Sequence, residues 1–220
     1  MTTFEILLQQ IGLFVIYLLA GVILVRTKVL NKETLEPISK FVIKMALPVM
    51  IFINIIDGVN KEILSGSWPI LLIAAGFYVV MFLVSLWMTK FFHLGENRAG
   101  IYQAMMLFGN IGFMAVPVIS NVFPGNGILY VSVFMVFDQL MLWTLGVKLT
   151  TPMGSGRFDP KKLVNPATVA ILIGMILMLT EVRIPSLLDT GFQKIGATAS
   201  PLAMIYIGGI FAELPLKKYL

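Results

Sequence analysis

Two polar side chains stand where the chain is otherwise oily. Asn110 sits in "MMLFGNIGFMAVPVISNVFPGNG" (105–127), beside Gly109, Gly112 and Pro117, and Asp138 is the centre of "VFMVFDQLMLW" (133–143). A carboxamide donates to a carboxylate and accepts from a hydroxyl. A carboxylate at bilayer depth costs about 2.5–3.5 kcal/mol on insertion scales. Asp138 therefore reads in two ways: as a proton or cation site, or as a protonated acid hydrogen-bonded across a helix bundle. Bond-breaking chemistry has less to work with. The chain has no cysteine and one histidine, His93, in a short loop. Disulfides, thiol nucleophiles, histidine-pair metal sites and triads are thus excluded. No glycine-rich segment ends in Gly-Lys-Ser/Thr, so no phosphate-binding loop is present, and Gly154-Ser155-Gly156 reads as flexible linker. An enzyme is rejected, and neither cofactor nor metal is expected.

The elements that position these residues follow from composition. With 220 residues, 58% hydrophobic, 12% charged and a mean hydropathy of +0.94, the chain reads as an all-α membrane protein. A helical span needs about 20 apolar residues. Seven spans are predicted: 4–25, 41–56, 68–89, 99–123, 128–147, 165–180 and 192–212. The second is short and extends into its flanks. The basic residues sort by side. Arg26, Lys28, Lys32, Lys40, Lys90, Arg98, Lys148, Arg157, Lys161, Lys162, Lys217 and Lys218 share one side, and Lys61, Arg183 and Lys194 the other. Cytoplasmic loops retain Lys and Arg, so the expected topology has the amino terminus outside and the carboxyl terminus of this chain cytoplasmic, in the plasma membrane. The net charge of +5 is topology and not a nucleic-acid footprint. Lys44, within a turn of the cytoplasmic end, reads as a snorkelling span-end residue. Glu5 precedes the first apolar run and Arg26 follows it, the reverse of a signal peptide, so span 1 is expected to stay.

Span 4 contains helix breakers at its middle. Pro117 removes one backbone donor and clashes with the carbonyl of Phe113, while Gly109 and Gly112 lower helix preference before it. Exposed backbone is tolerated at that depth only where protein or a water-filled cavity satisfies it. The expectation is a half-helix over 99–108, a break over 109–116 and a second half-helix over 117–123. The amino end of that second half favours an anion at the midplane. The plainer reading is a proline kink with Asn110 bonded to a neighbouring helix.

The chain also matches itself at an offset of 153 residues. Gly21 meets Gly174, Ile23 meets Ile176, Leu24 meets Leu177, Leu35 meets Leu188, Ala46 meets Ala199 and Pro48 meets Pro201, without a gap. Span 1 then matches span 6 and span 2 matches span 7. A five-span period turns the second copy upside down, a signature of secondary transporters. The expected organisation is a first five-span repeat over 1–147, a cytoplasmic linker over 148–163, and the first two spans of an incomplete second repeat over 164–220.

"LPVMIFINI", "GNIGFMAVPV", "NPATVAILIGM" and "GATASPLAMIYIGG" resemble the auxin efflux carrier family, which includes plant auxin carriers and bacterial malate permease-like proteins. The resemblance covers nearly the whole chain. It departs at Ala115, where the family more often has glycine. It implies ten spans in two inverted repeats with crossovers in spans 4 and 9, a scaffold of spans 1, 2, 6 and 7, and a moving transport domain. Carried over by motif, Asn110, Gly112 and Pro117 would bind the substrate carboxylate, and Pro48 and Pro201 would be scaffold kinks. Asp138 is the candidate for proton or ion coupling. The implied function is secondary transport of small organic anions, such as dicarboxylates or auxin-like carboxylates, by alternating access. A homodimer through the scaffold spans in a lipid bilayer belongs to the same expectation. The alternative is a seven-span receptor or sensor, although Lys194 lies too far out in span 7 for a retinal lysine. The mate of Asn110 would fall near residue 263, beyond Leu220, so a truncated family member that does not transport alone is expected.

Overall fold

The computed structural model describes residues 2–58, 66–109, 111, 115, 118–119, 122–123, 127–151, 164–182 and 184–214. Among them the secondary structure is helical throughout, in seven runs. Helix α1 is Thr3–Arg26, opened by a capping box between Thr2 and Glu5. Helix α2 is Lys32–Gly58, α3 is Trp68–Phe91 and α4 is Glu96–Leu107. Helix α5 runs as Gly127–Met141, a π-helical turn at Leu142–Gly146, and Val147–Thr150. Helix α6 is Pro166–Thr180, capped by Asn165, whose side chain accepts from the amides of Ala167 and Thr168. Helix α7 is Ser186–Glu213. Among the described residues, α1, α2, α3, most of α5 and α7 are long and apolar enough to cross a membrane. Helix α6, with 15 residues, reaches roughly 22 Å at 1.5 Å per residue. Helices α2 and α7 begin nine and six residues before their predicted starts, where Lys32–Lys40 and Ser186–Gly191 add polar turns to the apolar run.

Local geometry recurs in the register found in the sequence. Helix α1 ends with Lys28 in the left-handed region (φ 61°), and α6 ends with Glu181 there (φ 55°). In the first turn the amide of Lys28 donates to Val25 and that of Val29 to Leu24. In the second, Glu181 donates to Met178 and Val182 to Leu177. Displaced by 153 residues, all four positions coincide. This is the Schellman pattern of a helix end, built twice on side chains that the left-handed region disfavours.

The following helices repeat a second feature. In α2 a π-helical turn, Val42–Ala46, precedes Pro48. In α7 the α-helical pattern is interrupted between Ala197 and Ala199, just before Pro201. Each proline withholds the amide that would bond the carbonyl four residues back, so the preceding turn reorganises.

Two compact units are present. One comprises 1–53 with 184–220, and the other 54–183. In the first, α1 and α7 cross at glycine. A Cβ on Gly21 would overlap the Ile205 carbonyl, and one on Gly208 the Leu18 carbonyl. Backbones approach this closely in membranes because lipid offers no hydrophobic drive, so packing contact must supply the association. In the same unit Gly196 of α7 backs onto the Met50 backbone of α2, and Phe52 meets Phe192 edge-on at 5.8 Å. In the second unit α3, α4 and α5 pack on one another, and α6 clusters with them. Of the four spans implied as scaffold, α1, α7 and α2 as far as Ile53 therefore fall in the first unit, and α6 in the second.

Candidate functional site around Asp138

Asp138 lies eleven residues into the helical run that opens at Gly127, and Tyr78 lies ten residues into α3. Two mid-span residues on neighbouring helices thus meet at the same depth. The Tyr78 hydroxyl donates a hydrogen bond to Asp138 Oδ1, with 4% and 3% of the two residues exposed. The reason is elementary. A phenol or a carboxyl sealed from water loses its aqueous partners, and each here is the other's replacement.

Aromatic rings enclose the pair. Around the Tyr78 ring stand Phe77 at 5.6 Å, Phe137 at 5.7 Å, Phe108 at 5.8 Å and Phe134 at 6.4 Å between centroids. Phe108 carries the link to span 4. Helix α4 stops at Leu107, and Phe108 has already left helical geometry, with φ −107° and ψ 113°. The predicted half-helix end at 108 is thus met within one residue, at a depth where an unbroken span would continue. The Phe108 ring also covers Gly146, where a Cβ would come within 3.0 Å of the ring edge. Gly146 closes the π-helical turn of α5, which the Thr144 hydroxyl marks by donating to the Leu140 carbonyl at 2.6 Å. Such turns recur at functional sites because they redirect side chains and free backbone groups.

Of the residues singled out from sequence, Asn110, Gly112 and Pro117 lie outside the described residues. Gly109 is described, and a Cβ there would meet no described atom within 4 Å. Pro48 is buried and Pro201 half-buried, each just after its irregular turn. Lys44 is exposed. Tyr78 escaped the sequence reading because tyrosine is at home in apolar spans. Its signal was a hydroxyl at the middle of a 24-residue run with no other polar partner nearby in sequence. Among the described residues, no cluster of histidine and acidic side chains is arranged to hold a metal ion.

A family model described as membrane transport protein matches residues 6–159 and 157–219. No curated protein gives a significant match to the chain.

Proposed function

The chain belongs to the membrane transport protein family, that of the auxin efflux carriers, and from that premise we propose that it takes part in secondary transport of small organic anions. Membership makes it a multi-pass membrane transporter and separates it from the seven-span receptor plan. The finer reading rests on one observation: α4 ends in mid-span at Phe108, and that residue packs on the Tyr78 ring whose hydroxyl bonds Asp138. A broken helix offers backbone groups to a solute, and a buried acid offers a place for a proton.

In this reading Asn110 donates to the substrate carboxylate, and the backbone around Gly112 and Pro117 supplies further donors. Dicarboxylates and auxin-like carboxylates share the group so recognised. Asp138 is the coupling residue, and its protonation is felt at the break through Tyr78 and Phe108. Access alternates between an outer face, which holds the amino terminus, and the cytoplasm, across the plasma membrane. The inverted repeat supplies the symmetry for that alternation, supported by the matching turns at Lys28 and Glu181 and the matching prolines 48 and 201.

The test is carboxylate binding by the purified chain. A panel of mono- and dicarboxylates should raise its melting temperature. Asn110→Ala should weaken the preferred ligand by about 1–3 kcal/mol, the cost of leaving a buried polar partner unpaired, with expression unchanged. Equal binding by a folded Asn110→Ala protein would return the break to a plain proline kink.

A further inference from the structure

The helices around Asp138 are polar on one side of it and apolar on the other. Helix α3 buries one face, made of Ala74, Tyr78, Ser85 and Thr89. Tyr78 and Thr89 are eleven residues apart, about three turns and about 16 Å along the axis. Beyond Tyr78, towards the carboxyl end of α3, the buried residues are Ser85 and Thr89, joined by Gln103 of α4. The Gln103 carboxamide donates to the Thr89 hydroxyl at 3.2 Å, and that hydroxyl donates to the Ser85 carbonyl at 2.9 Å. In the opposite direction the buried side chains of α3 and α5 are Ala74, Val131, Val133 and Val136.

The polar end opens into a cavity of about 530 Å³ between the end of α3, the first turns of α4 and the end of α5, with Thr89 and Gln103 in its lining. A space of that size with polar walls holds water. Among the described residues of these helices and the turn between them, the titratable groups beside the pair stand away from the interval. Lys90, His93, Glu96, Arg98, Tyr102 and Lys148, the last already partnered, are at the cavity end, and Tyr130 is at the other. Helix α6 carries none. One apolar group separates the polar floor from the acid. The Phe108 ring meets Tyr78 at 5.8 Å between centroids and closes over Gly146, eight residues past Asp138 in the direction of the cavity. An apolar constriction beside a wet polar space gates by dewetting.

We propose that Asp138 exchanges its proton with the cytoplasm through this half of the bundle, along water held by Thr89, Gln103 and Ser85, with the Phe108 ring as the gate. The inference rests on the reading of Asp138 as the coupling residue. A water of the cavity gives its proton to a carboxylate oxygen and takes it back by the same route, so no further reactant is needed. The basic-residue asymmetry assigns the cavity end to the cytoplasm. Phe108 is the first residue past α4, so a movement of the span 4 break moves the gate. Proton access is thereby tied to the conformation of the segment proposed to hold the substrate.

Two readouts on the whole chain separate the route from the acid it serves. The chain has no cysteine, so Ser85→Cys, a near-isosteric change at a residue with 0% exposure, reports water at that depth. A small impermeant methanethiosulfonate should label it in inverted vesicles and not in right-side-out ones, and Val133→Cys should stay unlabelled in both. No labelling of Ser85→Cys from either side, the result for a dry packed floor, would overturn the route, as would labelling from the outer side. The Asp138 carboxyl is followed by its infrared C=O stretch, assigned by its loss in Asp138→Asn, and by the rate at which that band shifts in heavy water. Thr89→Val and Gln103→Met should each slow the exchange about tenfold, the rate equivalent of one lost hydrogen bond of about 1.4 kcal/mol, and Phe108→Ala should speed it. Unchanged exchange in these folded variants would overturn the proposal with the acid still in place. A carboxyl band absent at every pH would instead remove the coupling reading, and this inference with it, whatever the cysteine pattern.

Discussion

At the residue scale the Asp138–Tyr78 bond joins two duties that a single mutation can separate. Tyr78→Phe keeps the ring and its aromatic neighbours and deletes only the hydroxyl. Interhelical hydrogen bonds in membranes are worth about 0.6 kcal/mol on average and at most about 1.7, so the variant should fold with a stability loss in that range. Its transport should show a displaced pH profile, because the carboxyl has lost its donor. Asp138→Asn should remove the pH dependence of substrate accumulation and leave exchange of bound substrate intact, since exchange moves no net proton. An unshifted pH profile in both folded variants would reduce the pair to a bundle fastener. Asp138 was conspicuous in the sequence because a carboxylate is expensive at that depth, whereas Tyr78 was not, because a phenol is cheap there. Their pairing joins residues sixty positions apart, and periodicity carries no information about which helices become neighbours.

At the element scale the recurring turn after α1 and α6 is the more informative object. Lys28 and Glu181 are chemically opposite, so nothing in their side chains announces a shared role. What they share is a backbone conformation, left-handed and fixed by the same pair of amide–carbonyl bonds. Lys28→Gly and Glu181→Gly should therefore each stabilise the protein by about 0.5–1 kcal/mol, through relief of the Cβ contact that disfavours this region. Thermal melting of the purified variants measures it, and gains of clearly unequal size would argue against equivalent turns. The repeat was most specific in sequence at glycine and proline, the residues whose backbone demands outlast changes of side chain, the apolar matches being common to any oily chain. The extension of α2 was anticipated from the shortness of its apolar run, but its polar first turns and those of α7 were not placed, since hydropathy reports where a helix is oily and not where it begins.

At the scale of the whole molecule the order of the helices was legible from apolar run length, five of the seven described being long and apolar enough to cross a membrane, and the grouping into 1–53 with 184–220 against 54–183 was not. Sidedness can be tested directly because the chain has no cysteine. Val29 and Val182 are both exposed and lie on opposite sides of the expected topology. In sealed right-side-out vesicles an impermeant maleimide should label Val182→Cys and spare Val29→Cys, with the reverse pattern in inverted vesicles. Labelling of both from one side would refute the basic-residue assignment. The glycine crossing of α1 and α7 also has a meaning in time. Ribosomes add about 5–20 residues per second, and 159 residues separate Arg26 from Ser186. On the order of ten to thirty seconds pass between the end of one helix and the start of the other. Throughout that interval the bare glycine face of α1 waits in the bilayer for a partner not yet made, and any other small-residue helix drifting past is a competitor for it.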